Sequence, residues 1–425
     1  METVKAIRQD DYGRGLVDQE DKICFVEGLL PDEEAIIQVD QEKKNYRLAH
    51  VVKLLRESDQ RVMPNCPYAS TCGGCQLLHQ DYVSQLRFKK NKVEHILSKF
   101  AKIDLLPDQI SIISSSPFHY RNKITLHGKD GKLGLKEAKS NQIVPIQKCA
   151  ICEDAINRMI PSLQKLQEHT KGITSIMIRT FENQVMIALS GNIKEDILQE
   201  FYQANKVTSF YYNGLKLFGE DTISVPLHQL VFRCSAKSFF QVNTKNQQKL
   251  YDLVLDVIEK KKPTRLLDLY CGTGTMTLLA SIYAKEVIGI EVVPEAIQDA
   301  KKNQQINKIQ NVSFICGRVE DFIKQFQQVD LVIVDPPRSG LDHLTRQSLL
   351  SIKPDTICYV SCDPITLARD LAELKEQYEI EKFTLVDMFP NTYHVECVAL
   401  LCLKNTLKPL KNKKKTTFSK KLEIT

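Results

Sequence analysis

The chain has 425 residues, of which 43% are hydrophobic and 26% charged, so it is long enough for two or three globular domains and is not a disordered chain. No apolar run reaches the roughly 18 residues that a membrane span needs. The first residues also lack the apolar core of a secretion signal. We therefore expect a cytoplasmic protein with no membrane partner.

The net charge of +6 is concentrated at one end of the chain. Residues 404–425 hold eight lysines and one glutamate, a net +7, so the preceding 403 residues carry −1. A basic tail attracts nucleic-acid phosphates, although a solvated end is the more common role of such a segment. The overall charge alone therefore does not indicate an RNA-binding body.

Short apolar segments punctuated by glycine and proline fill residues 1–57 and predict a small β-barrel. A basic helical segment follows at 81–102 and offers cations to a polyanion. Residues 110–235 alternate strand-like and polar stretches, which indicates an α+β region. The predicted strands of the barrel are 4–7, 22–26, 34–39 and 46–52.

From about residue 245, buried-type strands alternate with amphipathic helices. This rhythm predicts an α/β fold with a doubly wound, mostly parallel sheet. The last two predicted strands, 383–387 and 395–403, have only a short connection. They are therefore expected to form an antiparallel hairpin at the edge of that sheet.

The first strand of this sheet runs into a glycine turn, Asp268-Leu-Tyr-Cys-Gly-Thr-Gly-Thr, and then a helix. Such a turn lets the backbone approach a ligand at the carboxyl end of the strand. Glu291 ends the next strand and can accept hydrogen bonds from ribose hydroxyls. Thr277 stands where a dinucleotide fold prefers a third glycine, which favours S-adenosylmethionine over NAD.

Three residues with catalytic chemistry are predicted at the same carboxyl edge. Asp335 opens the loop Asp335-Pro-Pro-Arg-Ser-Gly after a buried strand, and Cys362 follows the next strand. Cys362 also precedes a helix, and a helix N-terminus lowers the pKa of a thiol and makes it a nucleophile. Glu396 begins the last strand, where its carboxylate can remove a proton from a substrate.

Thirteen cysteines, an odd number, fit a reducing compartment better than a disulfide scaffold. Cys66, Cys72 and Cys75 form a Cys-x5-Cys-x2-Cys cluster, and Cys149 lies far downstream as a possible fourth ligand. This spacing suits either zinc or an iron–sulfur cluster. Cys152 competes with Cys149 for the fourth place.

Four segments together resemble the signature segments of the RNA (uracil-5-)-methyltransferase family. They are Ser238-Phe-Phe-Gln-Val-Asn, Asp335-Pro-Pro-Arg-Ser-Gly, Tyr359-Val-Ser-Cys-Asp-Pro-Ile-Thr and Asp387-Met-Phe-Pro-Asn-Thr-Tyr-His-Val-Glu. The N-terminal segment resembles a TRAM domain, an OB-like RNA-binding barrel, so the resemblance covers nearly the whole chain. Asp363 and Asn391 depart from the common residues of the family, which are Asn and Gln, and leave fine substrate contacts open.

The resemblance implies a covalent mechanism. The Cys362 thiolate adds to C6 of uracil, C5 takes the methyl group of S-adenosylmethionine, and Glu396 removes the C5 proton. Asp335 is implied to hydrogen-bond the uracil edge, and Phe239 or Phe240 to stack on the extruded base. The implied cofactor-binding residues are Gln241, Tyr270, Glu291 and Asp335. The implied ligands of a [4Fe–4S] cluster are Cys66, Cys72, Cys75 and Cys149.

The resemblance also implies a division of the chain and a substrate. We expect a TRAM barrel over 1–57, an iron–sulfur segment and central domain over 58–235, a catalytic domain over 236–405 and a basic tail over 406–425. The helical part near 81–110 is expected to pack on the catalytic domain. The expected partner is 23S rRNA, and the chain is expected to be a monomer. The alternatives are a tRNA uracil-5 methyltransferase, a module that binds RNA without catalysis, and a methyltransferase for DNA or small molecules.

Overall fold

A computed structural model of the chain describes residues 1–19 and 22–404. The predicted basic tail, 406–425, lies outside the described residues. Within the described ranges the strands form three sheets of six, seven and eight strands and one separate hairpin. No helix of this part of the chain is long and apolar enough to cross a membrane.

The first sheet is a closed OB-like barrel. Its strand order is β1-β5-β6-β4-β3-β2, so β1 and β2 form its two ends, yet only Ala6 and Ile7 separate them. The Ala6 N–H donates to the Glu33 carbonyl on one side, and the Ile7 N–H donates to the Leu16 carbonyl on the other. One bent N-terminal strand therefore pairs with both neighbours and closes a five-stranded barrel around an apolar core. The strands are β1 (Glu2–Lys5), β2 (Arg8–Gln9), β3 (Gly15–Gln19), β4 (Lys22–Glu27), β5 (Glu34–Glu42) and β6 (Tyr46–Arg56).

A helix and a strand connect the barrel to the rest of the molecule. They are α1 (Tyr82–Ile96), which continues as one π-helical turn (Leu97–Ala101), and β7 (Ile110–Ile113). A seven-stranded sheet follows in the order β10-β9-β8-β11-β12-β13-β14, and α2 packs across it. Its elements are β8 (Lys123–Lys129), β9 (Lys132–Lys136), β10 (Ile143–Pro145), α2 (Asp154–Thr170), β11 (Ile173–Phe181), β12 (Gln184–Gly191), α3 (Glu195–Ala204), β13 (Ser209–Tyr212) and β14 (Leu215–Gly219). The separate hairpin consists of β15 (Ile223–Leu227) and β16 (Leu230–Cys234).

The eight-stranded sheet is the predicted doubly wound α/β sheet, in the order β19-β18-β17-β20-β21-β23-β22-β7. All neighbouring strands are parallel except β23, which is antiparallel to β21 and β22. Its other strands are β17 (Arg265–Leu269), β18 (Glu286–Glu291), β19 (Val312–Cys316), β20 (Leu331–Val334), β21 (Thr356–Ser361), β22 (Tyr378–Val386) and β23 (Glu396–Leu403). Its helices are α4 (Thr244–Lys261), α5 (Thr275–Ala280), α6 (Pro294–Ile306), α7 (Val319–Phe322) with a 3₁₀ turn (Ile323–Gln325), α8 (His343–Ile352) and α9 (Pro364–Leu374).

The C-terminal hairpin is antiparallel, but it does not form the edge of the sheet. β7 pairs in parallel with β22, with Phe383 opposite Ile110 and Val386 opposite Ile113. The added strand satisfies backbone groups that an edge would leave unpaired. The predicted edge position of the hairpin is therefore wrong, because β7, which precedes the central sheet in the sequence, joins the eight-stranded sheet.

The segment of α1 and its π-helical turn also packs on the eight-stranded sheet. Val93, Ile96 and Leu97 share a core with residues of that sheet and of α9. Lys89 is completely buried, and it therefore cannot contribute to the cationic surface that the sequence predicted for this helix. Arg87, Lys99 and Lys102 remain exposed.

Candidate active site and cysteine cluster

Four of the predicted site residues lie at the carboxyl edge of the eight-stranded sheet. Tyr270, Asp335 and Cys362 directly follow β17, β20 and β21, and Glu291 ends β18. Ligands of open α/β sheets bind outside this edge. The fold therefore brings together residues that are up to 92 positions apart in the sequence.

Glu396 reaches the same edge from the opposite chain direction. Because β23 is antiparallel to β21, its first residues pair with the last residues of β21, with Cys397 opposite Ser361. Glu396 therefore lies beside the loop that carries Cys362. The Glu396 side chain is buried, whereas Cys362 is half-buried.

The backbone of the glycine turn forms a hydrogen bond with Glu291, the acidic residue that ends the next strand. The Gly272 N–H donates to Glu291 Oε2 at 3.1 Å, and Glu291 Oε1 accepts from the Val293 N–H at 2.9 Å. A carboxylate has further lone pairs, so Glu291 can still accept hydrogen bonds from a ribose. Gly274 has a packing role instead, because its φ is +74° and a Cβ there would lie 2.7 Å from the Phe314 ring.

A cleft beside this turn has the shape and lining for a nucleotide-type cofactor. Phe239, Gln241, Tyr270 and Asp335 line it. Phe239 is 69% exposed, whereas Phe240 is buried and packs against Phe232, so only the Phe239 ring is free to stack on a base. The aromatic rings, the glycine turn and the Asp335 carboxylate in its wall suit the apolar and polar parts of S-adenosylmethionine.

Three acidic groups meet where this cleft opens. Burial raises the pKa of Glu396 to about 8, and the nearby Asp335 carboxylate adds to the effect. Asp335 is reached by solvent, but it lies deep in a protein-lined recess, and this desolvation raises its pKa to about 7. Arg338, from the same loop as Asp335, lowers the pKa of Glu396 and of Cys362.

The predicted lowering of the Cys362 pKa is wrong for the protein without ligands. Burial, with a smaller contribution from the Glu396 and Asp335 carboxylates, raises the pKa of this thiol to about 11. The N-terminus of α9 does not offset these increases in pKa, because Asp363 caps it. Asp363 Oδ1 accepts from the N–H groups of Ile365 and Thr366 at 2.9 and 3.0 Å. The cap places a carboxylate next to the thiol instead of free N–H dipoles.

Both departures from the family's common residues have structural roles here. Asp363 is a helix cap, a position that Asn and Asp fill almost equally well. Asn391 is buried, adopts a left-handed φ of +64°, and hydrogen-bonds Gln85 and the Pro117 carbonyl. Neither side chain is directed at a substrate in this arrangement.

The sequence analysis missed a buried network that fixes the Asp335–Gly340 loop. Asp370 is fully buried and accepts from the Tyr359 hydroxyl at 2.6 Å and the Leu341 N–H at 2.8 Å. Arg346 and Arg369 both pair with its other oxygen. Nothing in the local sequence around Asp370 indicates this role, because its partners come from three separate elements.

The four predicted cluster ligands line one cavity of about 230 Å³ between the segment 66–78 and the central sheet. Cys66, Cys72, Cys75 and Cys149 all contribute to its wall, whereas Cys152 is fully buried outside it. Hydrogen bonds from the Cys152 thiol and from backbone N–H groups lower the pKa of Cys149 to about 6. In residues 1–19 and 22–404, however, no three Cys, His, Asp or Glu side chains are grouped closely enough to hold a metal ion.

Comparison with known proteins places this architecture in a family. The model of the tRNA (uracil-5-)-methyltransferase family matches residues 216–404. An RNA methyltransferase of Oceanobacillus iheyensis is 35% identical over an alignment that covers 92% of this chain and 94% of the relative. An RNA methyltransferase of Staphylococcus aureus is 34% identical over an alignment that covers 92% of this chain and 96% of the relative. The chain belongs to the RNA (uracil-5-)-methyltransferase family.

A solved structure extends the likeness over the whole described architecture of this methyltransferase. The tRNA (uracil-54, C5)-methyltransferase of Pyrococcus abyssi, solved in complex with S-adenosyl-L-homocysteine, is 27% identical with a TM-score of 0.78. The match covers 94% of this chain and 100% of the archaeal one. The methyltransferase described here is thus an S-adenosylmethionine-dependent enzyme that acts on RNA.

Proposed function

We propose that this methyltransferase converts uridine to 5-methyluridine in RNA through a covalent bond between Cys362 and C6 of uracil. The observation that carries the proposal is the pairing of β21 with β23, which sets the Cys362 loop beside Glu396 at the mouth of the cofactor cleft. Asp335 borders both the cleft and this pair. The nucleophile then acts at C6, and the methyl donor and the base act at the adjacent C5 of the same ring.

The residues divide the reaction as follows. The Cys362 thiolate forms a bond to C6, and the electron pair of the C5–C6 double bond moves onto C5 and O4. S-adenosylmethionine would supply an electrophilic methyl group on its sulfonium, and S-adenosylhomocysteine would leave when C5 takes that group. Glu396 then removes the C5 proton, and the electron pair re-forms the double bond and expels the Cys362 thiolate. Asp335 hydrogen-bonds the uracil edge and orients the ring so that the thiolate approaches C6 from one face.

The raised pKa of Cys362 makes this reaction dependent on bound ligands. A thiol with a pKa of about 11 is almost entirely protonated at neutral pH. Arg338 already lowers this pKa in the free protein, and the cationic sulfonium of bound S-adenosylmethionine would lower it further, because an opposite charge nearby lowers a pKa. The bound cofactor is therefore expected to increase the fraction of Cys362 that is thiolate.

Replacement of the nucleophile tests the mechanism. In Cys362→Ala, methyl transfer and covalent capture of RNA containing 5-fluorouracil are both expected to disappear, while S-adenosylmethionine binding persists. Turnover retained in this variant would exclude the covalent route. Loss of cofactor binding in the variant, with no change in folding, would instead indicate that Cys362 belongs to the cofactor site.

The substrate is proposed to be 23S rRNA, on the resemblance to TRAM-containing rRNA enzymes. A tRNA is the second candidate, because the archaeal tRNA enzyme matches 94% of this chain and therefore shares its overall architecture. The barrel and the cysteine-lined cavity thus do not discriminate between the two RNAs. Mass mapping of 5-methyluridine in rRNA and tRNA from cells lacking the gene, with and without a Cys362→Ala copy, distinguishes them.

The cysteine-lined cavity is proposed to hold a [4Fe–4S] cluster on Cys66, Cys72, Cys75 and Cys149. A cluster needs more widely separated thiolates than one metal ion does, and a shared cavity with a largely apolar wall suits it. Protein purified without oxygen should be brown and contain iron. Cys149→Ser should lose the iron, whereas Cys152→Ser should keep it. Colourless protein with zinc, or the opposite result for the two variants, contradicts the assignment.

A further inference from the structure

The catalytic loop, residues 387–395, joins β22 to β23 and leads directly into Glu396. One face of α1 docks along the whole of this loop. Tyr82, Gln85, Lys89 and Lys92 all hydrogen-bond to it. Their spacing of three or four residues places them on a single face of the helix. The loop is therefore held by a helix almost 300 residues earlier in the chain.

The first half of the loop is fixed by a buried ion pair. Lys89 Nζ lies 2.6 Å from Asp387 Oδ1, and neither side chain has any exposed surface. Lys89 also donates to the Phe389 carbonyl at 3.0 Å, and the Tyr82 hydroxyl donates to Asp387 Oδ2 at 2.8 Å. Removing one partner of such a pair leaves an uncompensated buried charge, which strongly destabilises the packing of the loop on α1.

The second half is fixed by a two-way amide contact. Gln85 Nε2 donates to Asn391 Oδ1 at 3.1 Å, and the Asn391 N–H donates to Gln85 Oε1 at 2.9 Å. The Leu77 N–H donates to the Asn391 carbonyl at 3.0 Å. These contacts hold Asn391 in its left-handed conformation, five residues before Glu396.

Cys362 is carried by a different loop, between β21 and α9, and one wall of the cofactor cleft is formed by the loops after β17 and β20. The opposite wall, at Gln241, is followed by Asn243 and Asn246, which donate to the Met388 and Asp387 carbonyls at the start of the catalytic loop. Displacement of the catalytic loop therefore moves the proposed base relative to a nucleophile that stays in place. Adduct formation and proton removal become separable steps.

We propose that Lys89 and Gln85 are positioning residues that hold Glu396 where it removes the C5 proton, an inference that rests on the proposed function. When either is replaced, the Cys362–C6 bond and the new C5–methyl bond still form. The C5 proton then leaves slowly, so the electron pair that expels the thiolate is released slowly. Enzyme and RNA accumulate as a methylated covalent adduct.

The test compares two RNAs in Lys89→Met and Gln85→Met. With an unmodified uridine substrate, turnover should fall on the order of 100-fold, the effect of a misplacement of about 1 Å, while a denaturation-resistant adduct accumulates. With 5-fluorouracil RNA, which needs no proton removal, the trapping rate per folded enzyme should match that of the wild type. Parallel loss of trapping and turnover, or a wild-type ratio of adduct to product, would overturn the inference.

Two controls keep the outcomes separate. Lys90→Met alters the same helix at a half-exposed lysine whose ion pair with Glu94 spans 4.0 Å, and it should keep the wild-type ratio of adduct to product whatever its RNA affinity. If Lys89→Met does not fold, Gln85→Met carries the test, because it leaves the ion pair intact. Wild-type enzyme that traps no 5-fluorouracil RNA would refute the proposed function, whereas trapping with unaltered variants refutes only the positioning role.

Discussion

Desolvation raises the pKa of Asp335 to about 7, that of Glu396 to about 8 and that of Cys362 to about 11. Repulsion from the Asp335 carboxylate contributes to the values for Glu396 and Cys362, and repulsion from Glu396 contributes to the value for Cys362. Arg338 is the nearby cation that opposes this repulsion. The free site therefore holds less negative charge at neutral pH than three isolated acids would.

This charge pattern predicts an unusual pH dependence. Because the raised pKa of Glu396 keeps the base protonated below about pH 8, kcat/KM should rise with pH from 6 and keep rising beyond 8. The raised Cys362 pKa extends the rise further towards alkaline pH. Initial rates with a short RNA between pH 6 and 9.5 provide the measurement. An optimum below pH 7 would contradict it.

The glycine turn of the cofactor site combines two demands in one short element. Gly272 leaves room for a ligand, since nothing lies within 4 Å of a Cβ built on it. Gly274 starts α5 and lies against Phe314 and Ala300. The sequence motif thus encodes both an open surface and a close packing contact two residues apart.

Alanine substitutions should separate these two demands. Gly274→Ala forces a side chain into a left-handed backbone and into the Phe314 ring, so it should destabilise the catalytic domain by roughly 2–4 kcal/mol. Gly272→Ala meets only the backbone cost, roughly 1–2 kcal/mol. Thermal unfolding of both variants gives the comparison. Equal melting temperatures would show that the Phe314 contact yields without cost.

At the scale of the whole molecule, two long-range connections join the parts of this methyltransferase. β7, which precedes the central sheet, completes the catalytic sheet, and α1, which follows the barrel, holds the catalytic loop. The segment that lines the cysteine cavity also contacts this loop. The backbone N–H of Leu77, two residues after Cys75, donates a hydrogen bond to the Asn391 carbonyl. The segment that carries Cys66, Cys72 and Cys75 is thus linked to the loop before Glu396 through a buried backbone hydrogen bond.

The basic tail is expected to contribute to the affinity of the whole chain for RNA. Removal of residues 405–425, which lie outside the described residues, takes away seven lysines and one glutamate. RNA affinity should fall modestly, and the slope of log affinity against log salt should flatten by about 0.7 for each lost phosphate contact. Binding titrations at several salt concentrations measure this slope. An unchanged slope would leave the tail without a role in binding.

The sequence by itself determined the class of fold, the family and the edge of the sheet at which the site lies. This was possible because parallel strands have a fixed polarity, so Asp335, Cys362 and Glu291 had to meet at their carboxyl ends. The antiparallel pairing of β22 with β23 is likewise implied by their short connection, whereas the pairing of β23 with β21 and the covering strand β7 were not predicted.

Only the tertiary structure decided how these groups are tuned and held. The pKa of Cys362 depends on burial and on carboxylates from other strands. Lys89 faces inward towards its partner Asp387, which is 298 residues away in the sequence. Local patterns report which residues are charged or periodic, but not which of them lose their solvent. Desolvation and distant pairing are properties of the packed chain, and here they convert a basic helix into a support for the catalytic loop.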